Sequence, residues 1–211
     1  MSDGKLLVTG GFGEDYERLS STMTYSQEEG WQEFTPMPAA KINHCQVTVG
    51  DKVYVIGGLD GDDITDGSVY VLSDGQWSRQ YELAYPRRDH MCAEFGGNIY
   101  VIGGLKEEKQ YRAHSVITYP PSVEIIDTQN PGVMLEGPKM PYNVYESHAV
   151  VHDDVLYVAG DKTHEFGRGS YRNVYSLGKQ EKEWKILPVD WFDNTESVES
   201  APLINEIFCD N

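Results

Sequence analysis

The run Val53-Tyr54-Val55-Ile56-Gly57-Gly58 returns almost letter for letter as Ile99-Tyr100-Val101-Ile102-Gly103-Gly104. Gly10-Gly11 closes an earlier copy, and Tyr157-Val158-Ala159-Gly160 is a worn fourth. From each first glycine to the next the steps are 47 and 46 residues, and the step on to Gly160 is 57. The runs are continuous and β-prone, the pattern of a strand packed on both faces. The paired glycines that end them lack Cβ, which permits close backbone approach. A period near ~50 residues, rich in short strands, marks a stacked repeat, because one such sheet cannot bury both faces alone.

Other residues keep the same register. Trp31 to Trp77 and His44 to His90 are both 46 apart, and each histidine precedes its strand tyrosine, Tyr54 or Tyr100, by ten. Every copy then reads as four strands. These are an inner one (42–50), the apolar run (53–56), a third after a polar loop (68–72), and an outer one opened by Trp77. Residues 105–121 form a much longer loop in the third copy, whose outer strand near 133–136 has no tryptophan. The fourth copy keeps Tyr157, Tyr175 and Trp184, but its inner strand reaches Tyr157 one residue early and shifts His148.

Composition bounds what the chain does. Its 211 residues are 39% hydrophobic and carry 17 Lys+Arg against 34 Asp+Glu, a net charge of −17. That field and the absence of a large basic patch argue against nucleic acid. No apolar run approaches the ~18 residues of a membrane span, and the N-terminal apolar stretch reads as a strand. Cys45, Cys92 and Cys209 have neither metal-ligand spacing nor disulfide density. Cys45 and Cys92 therefore read as small buried hydrophobes rather than a bridge between sheets, and the cytoplasm is the expected compartment.

The chain resembles a run of kelch repeats, through Lys41-x-x-His44, Arg87-x-x-His90, the Tyr-Val-Ile-Gly-Gly runs at 54–58 and 100–104, and Trp31, Trp77 and Trp184. The resemblance covers nearly the whole chain and implies an all-β kelch β-propeller of about four blades. The repeats lie at approximately 5–41, 42–88, 89–144 and 145–194, with a fifth begun at 195–211. Residues 198–209 align on 44–55 and place Phe208 where Tyr54 stands, while the first copy starts in a second strand. Either the chain is a segment of a larger propeller, or residues 198–208 pair beside the first strand and close a ring. An open assembly would leave apolar faces for a partner or for self-association.

Function in such a fold belongs to loops on one rim of a rigid scaffold. The resemblance puts Lys41 and Arg87 at the channel mouth, with Arg88 and Asp89 adjacent. Arginine there can grip a partner carboxylate, or form a salt bridge to a neighbouring blade. The loop DGDDITDG at 60–67 carries Asp60, Asp62, Asp63 and Asp66 without the acid an EF-hand needs at Ile64. It reads as a solvated acidic turn whose natural partner is a basic peptide. Tyr111, Arg112 and His114 in the long loop, with His164 and Arg168 in the fourth copy's counterpart, mix aromatic and cationic groups typical of protein-binding hot spots.

His44 and His90 are repeat histidines that pack within inner strands rather than bind metal. No catalytic constellation stands out, and no cofactor or metal is expected. The reading is a non-enzymatic protein-interaction module. By resemblance it serves substrate recognition in a cullin-type ubiquitin ligase or association with actin. BTB and BACK segments are absent, so the ligase role makes the chain a fragment or dependent on another subunit. The alternatives are a kelch-type enzyme with a sugar- or metal-dependent pocket at the channel mouth, and a self-assembling structural propeller.

Overall fold

In a computed structural model, which describes residues 4–110, 114–120, 123–159 and 173–188, the described residues are all-β and contain no helix. Three antiparallel strands form the first sheet: β1 (Leu6–Thr9), β2 (Thr22–Ser26) and β3 (Gly30–Phe34). The second runs in order through β4 (Cys45–Val49), β5 (Lys52–Ile56), β6 (Ser68–Ser73) and β7 (Gln76–Glu82). The third is built from β8 (Met91–Phe95), β9 (Asn98–Ile102), β12 (Glu124–Ile126) and β13 (Met134–Glu136). Between its second and third members the chain makes a separate ribbon, β10 (Lys106–Gln110) and β11 (His114–Thr118). The fourth sheet is β14 (His148–His152), β15 (Val155–Ala159), β16 (Asn173–Gly178) and β17 (Lys185–Pro188). No pairing joins the fourth sheet to the first among the described residues.

The continuous apolar runs are explained by two-sided burial. Tyr54 and Ile56 of β5 enter a core shared with Ile99, Val101 and Ile126 of the third sheet. Between them Val55 turns to the opposite face, against Met37 and Tyr70. On the far side of the third sheet, Met91, Phe95, Ile102 and Ile125 meet Leu156, Val158, Tyr175, Leu177 and Trp184 of the fourth. Each sheet is thus sealed only by its neighbours. Tyr100 and Tyr157 are half-buried at the position where Tyr54 is buried.

The glycine pair is fixed by the sheet that follows and by its own first strand. A Cβ on Gly57 would stand 2.6 Å from the Arg87 carbonyl oxygen and 2.9 Å from the His90 ring, at a φ of +60°. A Cβ on Gly58 would meet the Ile42 carbonyl oxygen at 2.5 Å. Gly10 and Gly11, and Gly103 and Gly104, repeat the same left-handed geometry. Gly160 lies outside the described residues.

The tryptophans reach backward by one sheet. Trp77 Nε1 donates to the Thr35 carbonyl at 2.8 Å, and Trp184 Nε1 donates to the Pro138 carbonyl at 3.1 Å. Trp184 is buried, Trp77 half-buried, and Trp31 of the first sheet exposed. The indole is covered according to what the preceding segment offers.

Two expectations are corrected. The long loop at 105–121 is largely an ordered ribbon, since β10 and β11 pair over five residues each. Its charged first half, KEEKQ, carries no apolar alternation and so gave no strand signal. Cys45 and Cys92 are not free thiols: they form a disulfide across the interface of the second and third sheets, with Cα atoms 5.9 Å apart. Both occupy inner strands, β4 and β8, which lie against each other, and both sit among residues facing the shared core. The bridge spans a sequence separation of 47 residues. Cys45→Ser is expected to lower the unfolding free energy by about 2–4 kcal/mol. Urea unfolding checks this: a thiol reductant should destabilise the native chain equally and leave the variant unchanged.

Candidate protein-binding rim

In each complete sheet the chain enters at one end, so the loops after the second strand and the links between sheets share that end. Loops 12–18 and 59–65 have the same construction there. Isolated bridges pair Phe12 with Arg18 and Leu59 with Thr65, and the left-handed residues Tyr16 (φ 59°) and Asp63 (φ 60°) occupy matching places. The turn bonds repeat as well: Tyr16 N–H donates to Gly13 at 3.2 Å and Asp63 N–H to Asp60 at 3.2 Å.

Side chains join these loops into one surface. Arg18 pairs with Asp63 and lies over the Phe12 ring at 5.4 Å. The Thr65 hydroxyl accepts from the Glu107 N–H at 3.2 Å and donates to its carbonyl at 3.3 Å. Arg88 reaches Glu107 at 2.9 Å, tying the base of the β10–β11 ribbon to the inter-sheet link. Apolar side chains stand out of this rim. Tyr16 is 77% exposed, Ile64 58% and Phe12 52%, and Val116 and Ile117 project from the ribbon.

Beneath the rim lies a second layer, and it claims Lys41 and Arg87. Both are 0% exposed. Lys41 Nζ donates to the Gly57 carbonyl at 3.0 Å, to Ser68 Oγ at 2.9 Å and to the Asp66 carboxylate. Arg87 donates to the Gly103 carbonyl at 3.0 Å, to the Tyr85 carbonyl at 3.1 Å and to the Glu124 carboxylate. One device is therefore built twice, joining a cation before the inner strand to the first glycine's carbonyl and to an acid where the third strand begins. The expectation that Lys41 and Arg87 offer charge to a partner is corrected, because burial forces them onto internal acceptors. Burial pulls both cations below their ordinary pKa, opposed by the facing carboxylates. Burial also pushes the Asp66 carboxyl up, but hydrogen bonds from Lys41 and Ser68 outweigh it and hold that carboxyl below its usual range.

Arg88 and Asp89 are also engaged. Asp89 accepts from Arg88 and from the Asn43 side chain. Backbone bonds step between successive inner strands, from Asp89 N–H to Asn43 at 3.1 Å and from Glu146 N–H to Asp89 at 2.8 Å. Asn43, Asp89 and Glu146 all have left-handed φ and define equivalent positions. Of the acidic loop, Asp60 accepts from Asp62 N–H and Ile64 N–H at 2.9 Å each, and Asp63 holds Arg18. Asp62 remains exposed. Tyr111, Arg112, His164 and Arg168 lie outside the described residues. His114 begins β11, with its side chain outside the description.

The histidines pack as inner-strand residues. His44 Nε2 lies 2.9 Å from the Thr9 hydroxyl of the preceding sheet, and Ile56 occupies the repeat position of that threonine in the second sheet. Burial and the Lys41 charge pull His44 down to about 4. Burial, then the charges of Arg87, His44 and Lys41, pull His90 to about 3. Sequence reasoning missed Phe12, Tyr16 and Arg18. Their signal was positional, since they follow Gly10-Gly11 just as the acidic loop follows Gly57-Gly58.

These sheets, glycine stitches and one-sided loops define a kelch-type β-propeller unit. A family model described as the Kelch motif matches residues 42–80. Human Kelch repeat and BTB domain-containing protein 12 is 26% identical over 190 residues, covering 79% of this chain and 29% of that protein. Kelch-like protein terF of Aspergillus terreus is 26% identical over 199 residues, covering 85% of this chain and 41% of the relative. Beta-scruin of Limulus polyphemus is 29% identical over 115 residues, covering 50% and 13%. The chain carries the Kelch motif, is similar to these kelch-repeat proteins, and spans less than half their length.

Arg87→Ala strands Glu124 in the interior, and its expected cost is about 3–5 kcal/mol. Arg88→Ala, at a partly exposed pair, should cost at most about 1 kcal/mol; chemical denaturation of both variants compares them. A pH dependence follows from the histidines. Unfolded imidazoles gain protons near 6.5, whereas the folded ones resist to about 4 and about 3. Stability present above pH 6.5 is therefore lost as the pH falls toward 4. His90→Gln should lose less of its stability between these limits, measured as urea midpoints across the range.

Proposed function

We propose that the chain is a non-enzymatic protein-interaction module that docks a partner protein on this rim. The observation that carries the reading is the apolar row Phe12, Tyr16, Ile64, Val116 and Ile117, exposed on loops that hydrogen bonds join across three successive sheets. Bulky residues rarely adopt left-handed backbone, and Tyr16 does so while displaying its ring to solvent. Large exposed aromatics on a rigid frame lose little entropy on contact and suit a protein surface. A cavity at this end, lined by Gly103, Tyr119, Lys139, Tyr142 and Val144, holds about 30 Å³, room for a water molecule, and a wide open groove of about 450 Å³ runs along Arg79, Glu82, Gly132 and Met134.

Asp62, Asp63, Asp60, Arg88 and Asp89 frame this surface, and Tyr111, Arg112, His114, His164 and Arg168 are proposed to belong to it. Lys41 and Arg87 support it from below. Within this reading, substrate recognition for a cullin-type ubiquitin ligase and attachment to actin are the employments that the kelch resemblance supports. In the ligase role, a connecting segment comes from a longer parent chain or another subunit.

A photo-cross-linking amino acid at Tyr16 or Ile64 should form protein adducts, while one at Asp74, in the turn at the opposite end, should not. Tyr16→Ser with Ile64→Ser should reduce partner recovery about tenfold with an unchanged unfolding midpoint. Adducts from Asp74 alone, or full recovery by the double variant, would overturn the reading.

A further inference from the structure

The third sheet differs from its neighbours by carrying the β10–β11 ribbon where loops 12–18 and 59–65 make short turns. The two outer edges of that ribbon are chemically unlike. β10 reads KEEKQ, and its Lys106, Glu107, Glu108 and Lys109 are the kind of charges that blunt an edge. This edge is also occupied, since the N–H and carbonyl of Glu107 both engage Thr65. β11 reads HSVIT, without Lys, Arg, Asp, Glu or Pro. Ser115, Val116, Ile117 and Thr118 are all exposed, and among the described residues β11 pairs with β10 alone.

We propose that the outer edge of β11 is a strand-addition site for an extended segment of a partner protein, β-branched in its middle and basic at its flanks. The proposal deepens the rim-binding reading and rests on it. Its backbone geometry follows from the register. Glu107 opposes Ile117 and Lys109 opposes Ser115. Because Glu107 turns both backbone groups outward to Thr65, these opposed pairs are the ones that make no bonds across the ribbon. The N–H and carbonyl groups of Ser115 and Ile117 therefore point away from β10. An incoming antiparallel strand can satisfy them and set β-branched side chains beside Val116 and Ile117. Basic flanks follow from the net charge of −17, with Glu108 exposed on the ribbon and Asp62 on the loop that Thr65 joins to it. A second copy of the chain would bring the same charge and meet repulsion.

The probe is a fluorescent peptide of alternating threonine and valine with an arginine pair at each end, compared with its glutamate-ended twin. Ile117→Pro removes an outward N–H that the ribbon does not use, whereas Ile117→Ala keeps it. The arginine-ended peptide should bind by anisotropy and protect the Ser115 and Ile117 amides from exchange. Ile117→Pro should weaken it about tenfold and Ile117→Ala less than about threefold. Absent binding, equal binding by Ile117→Pro, or preference for the glutamate-ended peptide would overturn the assignment. So would a concentration-dependent dimer abolished by Ile117→Pro, which gives the edge to a second copy. Protection at residues 12–18 and 60–65 with β11 untouched removes strand addition and leaves the rim reading standing. Protection confined to the turns at the opposite end removes both.

Discussion

The stitch between neighbouring sheets is the contact on which the rest depends. The second glycine of each pair donates its N–H to the carbonyl four residues before the next inner strand: Gly11 to Lys41 at 2.9 Å, Gly58 to Arg87 at 2.8 Å and Gly104 to Val144 at 2.7 Å. The first glycine of each pair permits this approach, since a Cβ on Gly10, Gly57 or Gly103 would stand 2.2, 2.6 or 2.1 Å from the same carbonyl oxygen. The same contact sets the spacing at which the two-sided cores close, and it brings successive inner strands near enough for Cys45 to meet Cys92. A single mutation in the stitch thus acts on two sheets at once, as expected where stability is a sum over neighbour interfaces.

The residue receiving that bond does double duty, and its identity can change. Lys41 and Arg87 send their side chains back into their own sheets, onto a glycine carbonyl and an acid. Val144 instead joins the hydrophobic core shared with the fourth sheet. Exchange of a buried ion pair for apolar packing is energetically tolerable when the whole network changes together. The charged version constrains direction more tightly, since a guanidinium fork or an ammonium must find fixed acceptors. The first two complete sheets therefore hold their loop ends by polar anchors, while an apolar side chain stands at the equivalent place before the fourth.

Much of this was legible from the chain alone. The glycine step, Trp31 and Trp77, and the histidine register located the sheets, because each reflects a backbone constraint repeated in every copy. Contacts between copies were not legible. That Lys41 would find Asp66, or Arg87 find Glu124, depends on which acid the third strand delivers. Cys45 and Cys92 looked like ordinary strand residues, since neither their spacing nor their number suggests a bridge until two inner strands are laid side by side. The ribbon escaped notice for another reason. The described side chains of β10–β11 are half-buried or exposed, so no hydrophobic alternation was needed to build it. Tyr16 and Phe12 were hidden by composition, since the eye goes to the aspartates of the next loop.

The charges that stand out in the sequence are largely spent within the molecule. Asp60 organises its own turn, Asp63 holds Arg18, Asp66 neutralises Lys41, and Asp89 receives Asn43 and Arg88. A carboxylate that already accepts two donors has less to offer a partner, and extracting it would leave a buried cation uncompensated. On the proposed reading, recognition therefore falls to the exposed rings of Phe12 and Tyr16, the aliphatic side chains of Ile64, Val116 and Ile117, and the β11 edge that no strand pairs among the described residues. In the proposed complex the acidity of the chain would act at longer range, raising the local concentration of a basic partner without fixing its pose. The position of that proposed partner would be set by apolar contact and backbone geometry, which salt does not screen.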